Sequence, residues 1–244
     1  MLVVLLLALG GLTGCGVSSD DSSGDQPTAS ASPEPTESVT PTESGSVTPS
    51  ETATQSPTAA PSPTLAPEAA LLTAQEMPPL NDTQRWQQGR TGPIAARPFG
   101  LCAKFDLLSI GAEQAVGRVF TTAAQGGAGP DTAAQQVATF PDTANVARAS
   151  KVMQAWHRSC ASRVRGTSVR VGPISAVPVA SGTGWWYLVS YVRGGVGHFH
   201  ELGVVLTGTR ISLVRMDHGG QDHNYPPGQD PMQLAVKAAA GKLG

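Results

Sequence analysis

The stretch WWYLVSYVRGGVGHFHELGVVLTGTRISLVRM, residues 185–216, is the most regular part of the chain and indicates its fold. It is rich in aromatic and β-branched residues, which favour strands. Glycines interrupt it at Gly194-Gly195 and at Thr207-Gly208-Thr209, and short glycine-containing connections between such runs are typical of hairpins. We therefore predict three consecutive antiparallel strands, over residues 185–192, 198–206 and 210–216.

The chain before this stretch adds further strands. Residues 115–122 and 132–140 are predicted strands on either side of a glycine-rich loop, 125–130. That loop lacks the Lys-Ser/Thr pair of a phosphate-binding loop, so its glycines are expected to serve turn geometry. A further strand over 169–179 is interrupted by prolines.

The first part of the folded region is less regular. Thr73 and Glu76 have the spacing of a capping box, but the prolines that follow allow barely one helical turn. Residues 81–100 are polar and rich in Gly and Pro, which predicts a surface loop. Residues 102–110 are compatible with either a helix or a strand.

Two helices are predicted. The first follows Asp142, a candidate N-cap, and carries an apolar stripe at three-to-four spacing that reaches Trp156 and Cys160. The last begins at Asp230-Pro231, where a capping residue precedes an N1 proline. Mixed strands and two helices indicate the α+β class, and we expect an antiparallel sheet with helices packed on one face.

The beginning of the chain carries an export signal. The apolar run from Leu2 to Leu9 is too short to cross a bilayer but suits a secretory signal. Leu12-Thr13-Gly14-Cys15 resembles the bacterial lipobox, in which the cysteine is lipidated after cleavage. We therefore expect a lipid anchor at Cys15 and a location on the outer face of the cell membrane. A signal should begin with a positive segment, yet the first basic residue is Arg85. Either the true start lies upstream or the signal is atypical, and we expect further sequence before Met1.

A stalk is predicted between the signal and the folded domain. Residues 16–68 are rich in Ser, Thr and Pro and hold eight acidic residues and no Lys or Arg. Such a segment buries too little apolar surface to fold, so we expect a disordered, extended spacer. The predicted organisation is a signal over 1–15, a linker over 16–68 and one folded domain over 69–244. That domain holds 16 basic and ten acidic residues without clustered, aromatic-interleaved arginines, so no nucleic-acid partner is expected.

Two cysteines remain after lipidation of Cys15. Cys102 and Cys160 would lie in an exported, oxidising compartment, where such a pair usually forms a disulfide. We predict that this bridge joins the first helix to the start of the domain. The alternative is a pair of buried free thiols.

Several short motifs resemble the PknH-like extracellular sensor-domain family of actinobacteria. They are Cys102 followed by Ile110-Gly111-Ala112, the strand Val137-Ala138-Thr139-Phe140 before an alanine-containing helix, and Trp156-x-x-x-Cys160. The signal, the Thr/Pro stalk and the closing Pro-Met-x-Leu helix agree with this resemblance, which covers roughly residues 69–244. The resemblance implies an α+β sensor domain with a cleft for an unknown ligand. The family's prototype belongs to a Ser/Thr kinase and has two disulfides, whereas this chain has no kinase and one candidate bridge.

Motifs of common enzymes are missing from the sequence. It contains no G-x-S-x-G, H-E-x-x-H, phosphate loop or C-x-x-C. We therefore expect a non-catalytic sensor-like or ligand-binding lipoprotein without a cofactor, whose partner is a small molecule or an envelope polymer. Two alternatives stay open, a metal-binding lipoprotein and a cell-wall hydrolase.

A histidine cluster supports the metal-binding alternative. With Gly208 at the centre of the hairpin, His198 faces His218, and alternation places His198, His200 and His218 on one face. Three imidazoles with an open fourth position can bind a transition metal. A slip of one residue would move His218 to the other face, and the histidines would then be solvated or contact a ligand. Asp217, Asp222 and His223 complete the cluster in the sequence.

An aromatic run supports ligand binding. Alternation along Trp185-Trp186-Tyr187 places Trp185 and Tyr187 on one face and Trp186 on the other. One face is expected to pack in the core, since buried aromatic residues stabilise small domains. The other face could line a cleft for a sugar or a lipid-like ligand. We therefore take Trp185, Tyr187, His198 and His200 as candidate ligand-binding residues.

Overall fold

The computed structural model describes residues 66–93, 97–124, 130–220 and 225–244. The predicted lipidation site at Cys15 lies outside these ranges, as do all but the last three residues of the predicted linker. In the part of the chain that the structure describes, no helix has both the length and the apolar character needed to cross a bilayer.

The described chain forms an antiparallel sheet of eight strands and two helices, which confirms the α+β class. The order across the sheet is β1-β2-β3-β8-β7-β6-β4, and the short β5 also pairs with β6. The strands are β1 (Gln87–Pro93), β2 (Gln114–Thr121), β3 (Thr132–Thr139), β4 (Thr167–Val171), β5 (Ser175–Val177), β6 (Thr183–Arg193), β7 (Val196–Thr207) and β8 (Arg210–Gly219). The helices are α1 (Thr143–Arg158) and α2 (Pro231–Leu243).

The caps predicted from the sequence are present at both helices. The side chain of Asp142 accepts a hydrogen bond from the backbone N–H of Asn145 at 2.7 Å, and that of Asp230 accepts from Met232 at 2.8 Å. These bonds satisfy N–H groups that have no partner inside a helix. The local sequence therefore specifies where both helices begin.

The two helices lie on opposite faces of the sheet, whereas one shared face was expected. Apolar residues of α1 pack with Val204 and Leu213, and those of α2 pack with their neighbours Val205 and Val214. The central strands therefore carry apolar side chains at consecutive positions. Because successive side chains point to opposite faces, each face of the sheet carries apolar side chains that another element must bury. We call them the α1 face and the α2 face.

The segment before the sheet covers part of the α2 face. Ala70, Leu72 and Leu80 are buried in the same core as α2. The predicted capping box is present, because Thr73 N–H donates to Glu76 at 2.9 Å and Glu76 N–H donates to the Thr73 hydroxyl at 3.3 Å. Glu76 also pairs with Lys242 of α2 at 2.7 Å. This turn therefore connects the start of the domain to its last helix.

Strand β1 corrects the prediction of a loop over residues 81–100. It pairs with β2 at the edge of the sheet, and nearly all of its side chains are exposed. A strand that buries almost no side chains shows no alternation of apolar and polar residues. The sequence pattern therefore contained no signal for it.

The disulfide between Cys102 and Cys160 is confirmed. Their Cα atoms are 4.8 Å apart, and both residues are buried. The bridge joins the end of α1 to an irregular segment that contains only a short 3₁₀ turn, Leu108–Ile110, where the sequence left helix and strand open. Arg163 adds hydrogen bonds to the carbonyl oxygens of Cys102 and Trp156, so the contact is both covalent and polar.

Candidate functional site

A cleft of about 550 Å³ opens where β6 and β8 end and β7 begins. The turn at Gly194-Gly195 and the end of β8 at Gly219 border it. Seven of the residues that line it carry aromatic, imidazole or charged groups: Asp131, Tyr191, Arg193, His198, Phe199, Asp217 and His218. We call it the strand-end cleft.

A stack of two rings lies on the α1 face of this cleft. Tyr191, His198 and Gly219 are neighbours across β6, β7 and β8. The Tyr191 and His198 rings stack with centroids 5.1 Å apart and an interplanar angle of 15°. Arg193 lies 5.9 Å from the centre of the Tyr191 ring, within the range of a cation–π contact. Gly219 has no side chain, so the space beside the His198 ring on β8 is not filled by a side chain from this position.

A second stack forms on the α2 face. Phe199 and His218 pair across β7 and β8, and their rings are 4.8 Å apart at 14°. Because Phe199 follows His198 in the same strand, the two stacks lie on opposite sides of the sheet. The cleft therefore holds two aromatic–imidazole stacks at one end of the fold.

His200 is buried and holds two parts of the chain together. Its Nδ1 is hydrogen-bonded to Asp217, its cross-strand partner. Its Nε2 accepts the backbone N–H of Leu101 at 3.1 Å. The proton is therefore assigned to Nδ1, and both ring nitrogens are engaged. His200 connects the disulfide-bonded segment to the sheet.

Asp217 completes this chain of interactions. Its carboxylate also pairs with Arg215 at 2.8 Å and accepts a hydrogen bond from Thr132 at 3.4 Å. Burial raises the pKa of Asp217, but the hydrogen bond from His200, the charge of Arg215 and the hydrogen bond from Thr132 outweigh burial and leave the pKa below its ordinary value. The folded state therefore favours the ionised carboxylate.

We expect Asp217→Asn to flatten the loss of stability in acid. A carboxylate with a depressed pKa stabilises the fold above its unfolded pKa, near 3.8. That stabilisation is lost as the pH falls through the lower folded value. Urea unfolding between neutral pH and acid should show a shallower decline for Asp217→Asn than for the wild type. Glu113→Gln, which neutralises an exposed carboxylate, is the control; equal slopes for all three proteins would contradict the assignment.

The predicted three-histidine face is not formed. Thr207 pairs with Arg210 around a two-residue turn, so His198 faces Gly219 and Phe199 faces His218. The predicted register is therefore wrong by one residue, and His218 lies on the face opposite His198 and His200. Among the described residues, no three His, Cys, Asp or Glu side chains are grouped so that they could hold a metal ion. Asp222 and His223 lie outside the described residues.

Trp185 and Tyr187 belong to the core. Both are buried on the α1 face, where their rings stack 6.3 Å apart and Tyr187 also contacts His157 of α1. Burial raises the pKa of the Tyr187 phenol. The core interpretation of this face is therefore confirmed, and of the four predicted ligand-binding residues only His198 lines the strand-end cleft.

Sequence reasoning missed Tyr191, Arg193 and Phe199. Tyr191 is four residues after Tyr187, so alternation alone placed it on the same face. Only the folded chain shows how far along β6 and β7 the helix α1 packs, and no local sequence pattern indicates that point. Tyr191 and Phe199 lie beyond that point and are only half-buried.

Comparisons with known proteins place the chain beside two mycobacterial structures. No protein-family profile matches the chain, and no curated protein matches its sequence. It is similar to the extracellular domain of PknH from Mycobacterium tuberculosis, with 13% identity over 73% of this chain and 96% of that one and a TM-score of 0.41. It is also similar to LpqN of Mycobacterium tuberculosis, described as involved in cell envelope biogenesis, with 11% identity over 66% and 90% and a TM-score of 0.25.

The first of these structures carries the name of the family that the sequence motifs resemble. Both TM-scores lie below 0.5, so neither likeness supports an argument about the fold or the role of this chain. We transfer no ligand and no activity from either protein.

Proposed function

We propose that this protein is an extracytoplasmic ligand-binding lipoprotein that binds an envelope glycan in the strand-end cleft. The cleft's stacked surfaces are the observation that carries the proposal. Its volume of about 550 Å³ lies within the range of small-molecule sites, which combine aromatic walls with a few polar groups. The apolar face of a sugar ring can pack on the Tyr191–His198 stack, while Arg193 and Asp217 are placed to meet its hydroxyl groups.

The proposed action is binding without chemistry. Asp217 and His200 have the carboxylate–imidazole order of a catalytic triad. In a triad the second ring nitrogen would face a nucleophile, but here Leu101 N–H occupies it. His200 therefore serves as a positioning residue for the disulfide-bonded segment. The pair of His200 and Asp217 therefore does not support the hydrolase alternative. The metal alternative is not supported either, because His218 lies on the face opposite His198 and His200.

The variant Tyr191→Ala is expected to bind the glycan about tenfold more weakly, because it loses an aromatic contact worth about 1.4 kcal/mol. Calorimetry with soluble cell-wall oligosaccharides would measure this effect on the full-length chain carrying Cys15→Ala. Phe105→Ala is the matched control, because Phe105 is an exposed aromatic residue outside the cleft. Wild-type protein that binds no oligosaccharide, or equal affinity of the two variants, would contradict the proposal.

Anchoring is proposed to occur through lipid on Cys15, with residues 16–68 as a spacer that lifts the domain from the membrane. We expect a labelled fatty acid to be incorporated into the wild type in the producing bacterium and to be absent from Cys15→Ala. The variant should also leave the membrane fraction. Cys102→Ala/Cys160→Ala is the control, because those residues are predicted to carry no lipid. Equal labelling of wild type and Cys15→Ala would contradict the lipid anchor, but it would not affect the proposal that the strand-end cleft binds a glycan.

A further inference from the structure

A second depression, distinct from the strand-end cleft, lies over β1, β2 and β3 on the α1 face. Its volume is about 230 Å³. Its floor is a row of paired residues in which Gly92 faces Gly117 and Gly117 faces Gln136. Two neighbouring glycines leave this part of the sheet without side chains. We call this depression the arginine groove.

Positive charge surrounds the arginine groove. Arg90, Arg97 and Arg215 line it, and no residue of its described lining carries a carboxylate. Arg90 and Arg97 are exposed and form no ion pair with the residues that the structure describes. Arg215 is partly neutralised by Asp217 and lies over the Phe99 ring at 5.5 Å.

The backbone contributes to this arrangement. A β-bulge in β1 between Gln88 and Thr91 places both Gly89 and Arg90 opposite Val119 of β2. Bulges often redirect a side chain at the edge of a sheet. Arg118 also borders the groove, but its guanidinium donates to Thr91 and to the Leu72 carbonyl, so we do not count it.

Gln136 provides the second, independent observation. Only 7% of this residue is exposed, and it lines the groove. Its side-chain amide makes no hydrogen bond to the part of the chain that the structure describes, unlike that of Gln135 beside it. The amide is not one of the fully buried side-chain groups that lack a partner, so it reaches the open groove, where it can form a hydrogen bond to a ligand.

We propose that the arginine groove binds the phosphate group of a phosphorylated ligand. Guanidinium groups form bidentate, charge-assisted hydrogen bonds with phosphate oxygens. Three arginines and one amide offer more donors than the two oxygens of a carboxylate can accept, which favours phosphate. The volume suits a phosphate with a small attached group, such as glycerol. The phosphate can come from a soluble ester or from a lipid headgroup.

The test compares two double variants that lose the same charge. Arg90→Gln/Arg97→Gln removes the two exposed arginines of the groove, and Arg165→Gln/Arg170→Gln removes two exposed arginines elsewhere. Both are made in the full-length chain with Cys15→Ala. The probes are glycerol 3-phosphate and succinate by calorimetry, and phosphatidylcholine vesicles with and without phosphatidylglycerol by flotation.

Groove binding predicts about tenfold weaker binding of a phosphate probe by Arg90→Gln/Arg97→Gln than by the control pair. Gly92→Val should also weaken it, because a Cβ added at Gly92 meets no atom within 4 Å and the larger side chain would occupy the groove. A loss with glycerol 3-phosphate identifies a soluble ester, and a loss with phosphatidylglycerol vesicles alone identifies a headgroup. Equal binding by both double variants, succinate binding as tight as phosphate binding, or no phosphate binding at all would overturn the proposal.

Discussion

Replacing both Cys102 and Cys160 by alanine is expected to lower the free energy of unfolding by about 4 kcal/mol. The bridge closes a loop with a sequence separation of 58 residues, and the chain-entropy model gives roughly this value for such a loop. The segment next to Cys102 is held otherwise by few elements, since residues 97–112 contain only a short 3₁₀ turn. The bridge therefore supports both this segment and the end of α1.

Urea unfolding under non-reducing conditions measures this loss. Adding a reductant should lower the unfolding midpoint of the wild type to that of the double variant and leave the variant unchanged. Two titratable thiols in the unreduced wild type would contradict the bridge. An unchanged midpoint after reduction would contradict its role in stability.

The second large effect is expected from Gln135→Leu, at about 3 kcal/mol. Gln135 is fully buried on the α2 face. Its amide accepts the N–H of Leu72 at 2.6 Å and donates to the Ser212 hydroxyl at 2.9 Å and the Ala70 carbonyl at 3.3 Å. Leucine has a similar size but no polar atoms, so these three groups would be buried without partners, each at a cost of about 1–3 kcal/mol.

The neighbouring residue provides a matched control. Gln136→Leu makes the same chemical change on the other face of β3, where the side chain forms no hydrogen bond to the described residues. We expect its unfolding free energy to stay within about 0.5 kcal/mol of the wild type. Equal losses for the two variants would show that the loss comes from the amide in general and not from the link between residues 70–72 and the sheet.

Arg215, Asp217 and His200 connect the features that carry the two proposals. Arg215 lines the arginine groove, Asp217 lines the strand-end cleft, and His200 holds Leu101 beside the disulfide. The Asp217→Asn variant therefore removes a charge between the two sites. The binding tests avoid these three residues, because their replacement would change stability and binding together.

The sequence alone predicted the elements whose signals are local. The strands of residues 185–216, the caps of both helices and the apolar stripe of α1 follow from periodicity and from residues that lie within a few positions of each other. The cysteine pairing was also predictable, because assigning Cys15 to the predicted lipobox leaves a single possible pair. The resemblance to the PknH-like family depended on such short motifs as well.

Only the tertiary structure decided the features that depend on distant contacts. One residue in the hairpin turn determined whether His218 joins His198 or faces away, since the side-chain period of a strand is two. Three further features depend on which strands become neighbours. They are the packing of a helix on each face of the sheet, the edge strand β1, and the row of Gly92, Gly117 and Gln136. Pairing across the sheet brings together residues far apart in sequence, and a local pattern carries no record of that pairing.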